Sequence, residues 1–350
     1  MIKENIIAVL GAGNAGYAVA SELALKGFAV NLYDDKKYES NLIPVKNMGG
    51  IQIYGSGIDG FAKINIATTS LEEAIENAKY IFICTQAHAH KELSIKLSQF
   101  IKDEQFIILL PGYWGSVIFY NNLRLKGNRA TKIAESRTFP YASSRIEGKA
   151  QVHIQLVTNS HLAAIPAKET NDVMNEVNKI YPGRFSPAKN VLEVAINAAG
   201  LFQTAMSILS TSYIESREDF YHFKQGYTPS VMKVLQAIWK EKNEILNKLK
   251  LLDLFPFEKL KKMTLNPTPE QLTIKRPNNM SHRYITENCP YRLVPMSSLG
   301  QTLHIPTPVT NALIELASTI NGIDYFKNGR TMDNLGLSSL KINELIKFFE

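Results

Sequence analysis

Residues 6–35 read IIAVLGAGNAGYAVASELALKGFAVNLYDD. Three glycines, Gly11, Gly13 and Gly16, follow an apolar run and open an alanine-rich stretch, and Asp34 lies 18 residues beyond Gly16. Each glycine has its own physical use. The first permits a tight turn, the second lets a pyrophosphate approach the backbone, and the third allows a helix to pack closely on a strand. The helix start at Asn14 and Ala15 offers N–H groups without intrahelical partners, at the positive end of the helix dipole. An acid at the distance of Asp34 suits a ribose 2′-hydroxyl. The pattern predicts a dinucleotide site. A carboxylate there repels a 2′-phosphate, so NAD is expected, with Lys36 and Lys37 close enough to serve NADP.

Such a turn needs strands and helices around it. The apolar run 6–10 predicts a strand and 15–26 a helix that Gly27 ends; 29–33 predicts a second strand. The alternation continues with strand 63–67, helix 71–77, strand 80–85, helix 88–100 and strand 106–110. Strands 131–135 and 151–157 and a helix near 169–180 are expected to complete the layer. Strands separated by helices imply a parallel sheet covered on both faces. After Pro187 the strand pattern stops, and helices are predicted at about 190–213, 229–248, 307–320 and 337–349. Thr228-Pro229 and Thr307-Pro308 each place a Thr N-cap before a Pro at the first helical position. The fold class is therefore an α/β Rossmann-type domain, 1–186, followed by an all-α domain, 187–350.

Composition narrows the classes of function. The 350 residues carry a net charge of +7, from 39 Lys and Arg against 32 acids. The denser basic stretches, KEKNEILNKLK at 240–250 and KLKK at 259–262, come with no nucleic-acid recognition motif, so no nucleic-acid partner is expected. No apolar run is expected to reach the roughly 20 residues of a membrane helix, and residues 1–4 lead into a strand rather than a signal peptide's apolar core. The two cysteines, Cys84 and Cys289, belong to no CxxC or Cys/His cluster. That predicts a reducing, cytoplasmic setting and gives no reason to propose a metal.

With a helical second domain in place, a set of ordered segments becomes informative: AKYIFICTQAHAH (78–90), QFIILLPG (105–112), ESRTFPYASSR (135–145), NVLEVAIN (190–197), FYHFKQGYTPSV (220–231), RYITENCPYRLVPMSSLGQTLHIPTPV (283–309) and GRTMDNLGL (329–337). In these the chain resembles the opine dehydrogenase (octopine/nopaline dehydrogenase) family nearly end to end. The resemblance implies NAD(P)H-dependent reduction of an imine formed between an α-keto acid and an amino compound, with the hydride acceptor between two domains. It also implies a homodimer formed through the helical domain. Gln86-Ala87 stands where the family carries Pro-Ala near the nicotinamide, and His90 matches a frequent family histidine. Ser136 and Ser143 fall where members carry Thr and Cys lining the amino-substrate pocket. Arg283 matches an arginine expected to meet anionic groups, which a guanidinium can bind through both oxygens; it could equally form a surface ion pair.

The chain departs from the family at its acid/base dyad. A His in the first long helix of the second domain normally pairs with an Asp in a T-E-D-x-P segment, and together they exchange a proton with the reacting group. Here the His position falls on Gln203. The segment reads Thr286-Glu287-Asn288-Cys289-Pro290, placing Asn288 at the Asp position. Neither amide titrates near neutral pH. An Asp left beside a neutral amide would be a poorly compensated charge, whereas Gln and Asn can hydrogen-bond each other.

Three expectations follow. An imine that arrives protonated needs only orientation by Gln203 and Asn288. Alternatively, Lys189, at the start of the second domain, resembles the lysine of glycerol-3-phosphate and 3-hydroxyacid dehydrogenases and would polarise a carbonyl. Finally, the chain would bind a dinucleotide or opine-like ligand without catalysis. His222 and His282 are candidate substitute acids, although each also suits a packing role.

Overall fold

A computed structural model of the chain describes residues 6–216 and 219–350; the lead-in at residues 1–4 lies outside them. The described residues divide into two compact units. One runs to Val194 and includes Glu350, and the other is Ala195–Phe349.

The first unit contains β1 (Ile6–Leu10), α1 (Asn14–Leu25), β2 (Ala29–Tyr33), α2 (Ile43–Met48), β3 (Gly50–Tyr54), β4 (Gly60–Lys63), β5 (Ile66–Thr68), α3 (Leu71–Ile75), β6 (Tyr80–Ile83), α4 (His90–Leu97), β7 (Phe106–Leu109), α5 (Gly115–Leu125), β8 (Lys132–Ser136), β9 (Tyr141–Arg145), β10 (Gln151–Val157), β11 (Ser160–Ile165), α6 (Thr170–Ile180) and β12 (Phe185–Pro187). Eight strands form one sheet in the order β12-β11-β8-β7-β6-β1-β2-β5. Neighbours run parallel except β8 and β11. Strands β6 and β7 are buried along their whole length, which is why they read as unbroken apolar runs. The strand order reverses at β1, with β2 on one side and β6 on the other, so the carboxyl ends of β1 and β6 border a topological switch point.

Two expectations about this unit are corrected. The segment 151–157 is a strand, but it belongs to a second sheet, ordered β4-β3-β10-β9. The predicted strand 63–67 is two strands: β4 ends at Lys63 in the small sheet and β5 begins at Ile66 in the large one. Helix α1 touches strands of both sheets and is buried without a break from Gly16 to Leu23. That explains its small-residue composition and its weak amphipathic pattern, because no face is left for solvent. Helix α6 buries a single stripe, Val173, Met174, Val177 and Ile180, and is clearly amphipathic.

The division between units falls within α7 (Val191–Ile196). There follow α8 (Leu201–Leu209), α9 (Thr211–Glu215), α10 (His222–Gln225), α11 (Pro229–Lys248), α12 (Phe257–Leu265), α13 (Pro269–Leu272), α14 (Arg283–Thr286), a π-helical turn at Cys289–Leu293, α15 (Val294–Thr302), α16 (Pro308–Asn321), α17 (Tyr325–Asn328) and α18 (Ile342–Phe349). The single helix expected over 190–213 is interrupted, because Gly200 takes φ 95°. Asn197 anchors the interruption. It donates to the Leu252 carbonyl at 2.8 Å and accepts from the Leu254 amide at 3.1 Å and from the buried Lys242 ammonium at 3.3 Å.

By length and composition the stretch Val191–Leu209 is apolar enough to cross a membrane, contrary to expectation; 83% of it is buried within the fold, as a core helix would be. The two Thr-Pro starts also differ. Thr228 caps α11 as predicted, accepting from the Val231 amide. Thr307 makes no such bond to α16; the Glu241 carboxylate instead accepts from the Val309 and Thr310 amides at 2.7 and 3.0 Å. A carboxylate at a helix N-terminus satisfies two orphan donors and complements the dipole.

Candidate functional site

The glycine-rich turn has the geometry its spacing predicts. Gly11 takes φ 108°, and a Cβ there would lie 2.8 Å from the Thr85 amide nitrogen. A Cβ on Gly16 would lie 1.7 Å from the Gly11 carbonyl oxygen, so the helix can meet the turn only through glycine. A Cβ on Gly13 would meet nothing within 4 Å. Gly13 therefore faces open space at the N-terminus of α1, where a pyrophosphate can come up against the amides of Asn14 and Ala15. The Asn14 side chain faces β9, accepting from the Arg145 amide at 3.1 Å.

Asp34 closes the turn at the end of β2. Its Oδ2 accepts from the Ala12 amide at 3.1 Å and from Asn41 Nδ2 at 2.8 Å, and Oδ1 accepts from the Asp35 amide at 3.0 Å. Burial raises its carboxyl above the usual range, opposed by these three hydrogen bonds and by the charge of Arg145. Asn41 is itself held by Arg145 Nη2 at 2.6 Å. Sequence reasoning missed this support: Asn41 sits in no motif, and Arg145 comes from a strand whose pairing is not local.

A cleft of about 820 Å³ including its open mouth is lined by Gly11, Gly13, Asp34, Lys37, Thr85 and Gln86, among others. The lysines near it are paired. Lys36 bonds Glu39, Lys37 lies 4.0 Å from Glu92, and Lys96 bridges Asp35 at 3.1 Å and Glu92 at 2.7 Å. With their charges answered by carboxylates and Asp34 at the base, the cleft suits NAD.

The other predicted residues of this unit fall in different places. Gln86 is exposed on the cleft wall. Ser136 is buried at the end of β8 and donates to the Thr138 carbonyl at 2.9 Å. Ser143 donates to the Asn14 carbonyl at 3.1 Å, beside the start of α1. His90 is fully buried, edge-on to Phe119 and close against Gly115. Lys189 has an exposed side chain ahead of α7, and its amide donates to Glu193 at 3.0 Å.

In the helical unit Gln203 and Asn288 meet. Asn288 Nδ2 donates to Gln203 Oε1 at 2.8 Å and to the Gly200 carbonyl at 3.1 Å. The second bond identifies Nδ2 as the atom facing Gly200. The atom of Gln203 that faces Asn288 must then be its oxygen. Asn288 is 1% exposed. Gln203 is only partly buried, and among the described residues its Nε2 has no hydrogen-bond partner.

Arg283 pairs with Glu287 at 2.5 Å. Burial lowers both candidate histidines to about 4, His222 most directly, with neighbouring positive charge adding to the effect. His222 bonds the Tyr227 hydroxyl at 2.8 Å, and His282 caps α14 by accepting from the Tyr284 amide at 3.2 Å. Both are neutral imidazoles near neutral pH and serve the packing of the unit.

Residues 187–321 match the family described as NAD/NADP octopine/nopaline dehydrogenase, alpha-helical domain. Residues 6–113 match NAD-dependent glycerol-3-phosphate dehydrogenase N-terminus. The chain is 28% identical over 353 residues to an opine dehydrogenase of Arthrobacter sp. (strain 1C), covering 97% of each. It is 23% identical over 346 residues to a vitopine synthase of Allorhizobium ampelinum, covering 95% of each. Its fold is similar to octopine dehydrogenase solved with NADH and pyruvate, with TM-score 0.77, 17% identity and 96% of each chain covered. The glycine turn with its acid, the helical second unit and these matches agree: residues 187–321 carry the octopine/nopaline dehydrogenase helical domain, and nearly the whole chain is similar to the opine dehydrogenases, which are NAD(P)-dependent oxidoreductases.

Proposed function

We propose that this enzyme reduces the imine of an α-keto acid and an amino compound through a centre in which a pair of amides stands for the family's acid/base dyad. The match to the family's helical domain and relatives named opine dehydrogenase and vitopine synthase support the reaction class. The observation that carries the rebuilt centre is the 2.8 Å hydrogen bond between Asn288 and Gln203.

When bound, NADH supplies the hydride. Gly11, Gly13 and Gly16 admit its pyrophosphate, and Asp34 receives the adenosine ribose. Asn288 fixes the Gln203 amide by holding its oxygen, which leaves Nε2 as a donor toward substrate oxygen. Neither amide exchanges a proton, so the imine reacts in its protonated form, carrying the proton it acquired in solution. General acid/base assistance is typically worth about 10²–10⁴-fold, and its loss predicts a slow enzyme with no protein group titrating at the reaction centre. Cys84 and Cys289 are free and buried, and burial raises both thiols. The two free cysteines support a cytoplasmic setting as part of this proposal.

The test is NADH oxidation against a matrix of α-keto acids and amino acids, with the product identified by mass. Turnover that requires both substrates and yields a secondary amine supports the proposal. Turnover with a keto acid alone would replace it by carbonyl reduction, and tight NADH binding with no turnover would make the chain a binding protein.

A further inference from the structure

Arg145 stands on β9, at the edge of the small sheet, and serves the cofactor turn twice. Its main-chain amide donates to Asn14 Oδ1 at 3.1 Å, at the start of α1. Its side chain reaches the other end of the turn. Nη2 donates to Asn41 Oδ1 at 2.6 Å, and Asn41 Nδ2 donates to Asp34 Oδ2 at 2.8 Å. Chemistry sets the direction of this relay. A guanidinium only donates, so the Asn41 atom facing it is the oxygen, and the nitrogen is left for Asp34. Asn41 and Asp34 line the cleft, whereas Arg145 does not. The guanidinium lies half-buried, 5.5 Å from the centre of the Tyr17 ring, and the Tyr17 hydroxyl donates to the Asn41 carbonyl. Asn41 is thereby held through its side chain and its main chain together.

We propose that Arg145 is a positioning residue for cofactor choice: acting through Asn41, it holds Asp34 in the orientation that reads a ribose 2′-hydroxyl and turns away a 2′-phosphate. This rests on the dinucleotide reading of the cleft. Three donors fix the carboxylate, two on Oδ2 and one on Oδ1. An ionised carboxylate offers about four acceptor positions, so one remains on Oδ1 for a ribose hydroxyl. The Ala12 and Asp35 donors are main-chain amides, and Asn41 supplies the side-chain contact, the one that Arg145 aims. The charge of Arg145 also opposes the effect of burial on Asp34, favouring the ionised form that repels phosphate. Lys36, Lys37 and Lys96 already face carboxylates of their own.

The experiment measures Kd for NADH and for NADPH by nicotinamide fluorescence. It compares wild type, Arg145→Met, Arg145→Lys and Asn41→Ala, with circular dichroism confirming the fold. Wild type should prefer NADH. In Arg145→Met that preference should fall about tenfold, as one hydrogen bond of a charged relay is lost, because NADH binds more weakly and NADPH does not. Arg145→Lys keeps a charge and a donor and should fall between; it carries the same readout if Arg145→Met does not fold. Asn41→Ala should reproduce the loss. Adding Arg145→Met to it should change the preference by less than about twofold, since the two residues act in series.

A merely structural role would weaken both nucleotides by the same factor, and an unchanged preference in the folded variants would overturn the relay. A preference that rises would overturn it as well, by making Arg145 a receiver of the 2′-phosphate. Additive effects at the two positions would do the same, because Arg145 would then act without Asn41. Wild type that bound neither nucleotide, or bound NADPH more tightly, would remove Asp34 as the ribose acid and the relay with it. These ratios do not depend on opine formation, so failure of the proposed reaction is read separately.

Discussion

The cofactor turn and the amide pair are built on opposite plans. The turn is contiguous and made of backbone: three glycines, a helix start and an acid at the end of the next strand. The pair joins residues 85 apart in the chain and is made of side chains. A backbone site is sensitive above all to shape. A side-chain site can change its chemistry by substitution, and the proposed instance is the contact of Asn288 with Gln203 at 2.8 Å.

The strongest way to break the contrast is at Gly16. With a methyl placed 1.7 Å from the Gly11 carbonyl, two backbone segments must separate. Gly16→Ala should cost about 3 kcal/mol, seen as a fall of about 100-fold in NADH affinity or as a lowered Tm. A variant that binds NADH normally would show that the turn yields.

Acid should act with opposite signs on His222 of the helical unit and on Asp34 at the turn. His222 falls from 6.5 to about 4 in the folded protein. Between those values the unfolded chain binds more protons, so this group's contribution to stability is intact above pH 6.5 and is lost as pH falls to 4. The loss is about 3 kcal/mol. Asp34, raised by burial, works the other way: its protonated form is favoured in the fold, so acidification through its folded pKa stabilises. His222→Gln should flatten the decline of Tm between pH 6.5 and 4. An unchanged slope would mean that the imidazole is not held neutral by burial.

Restoring titration at the pair is the next test. Gln203→His with Asn288→Asp should raise kcat for imine reduction about 10–100-fold, part of the range general acid/base assistance commands. It should also introduce a pH limb near neutrality. If NADH binding is intact and neither change appears, the pair does not serve the reaction centre.

The smallest effect is expected at Gly13, where a Cβ meets open space. Gly13→Ala should keep Tm within about 2 °C while weakening NADH binding about tenfold, because the methyl stands where the pyrophosphate approaches. Loss of stability there would place Gly13 with Gly16 as a packing glycine.

Legibility followed the same division. Strands β1 and β2 were readable to the residue, since buried parallel strands are apolar throughout and are bounded by glycine. The small sheet was not. Strand β9 reads Tyr-Ala-Ser-Ser-Arg, with no alternation, and its partner β10 looked like part of the main sheet because pattern alone does not say which sheet a strand joins. Helix α5 was missed too: it begins after Tyr113 and Trp114, both at positive φ, with no capping side chain. In the site, spacing predicted the glycine turn directly. Gln203 and Asn288 became visible only through the family resemblance.

Helix α1, held between two sheets, has a consequence for redesign. A segment with no solvent face cannot be retuned one residue at a time, so the cofactor turn and its helix behave as a single inherited block. An engineer who wants NADP in place of NAD has to work beyond the end of β2. There Lys36 and Lys37 are 75% and 51% exposed, and Asn41 holds Asp34 by one replaceable amide.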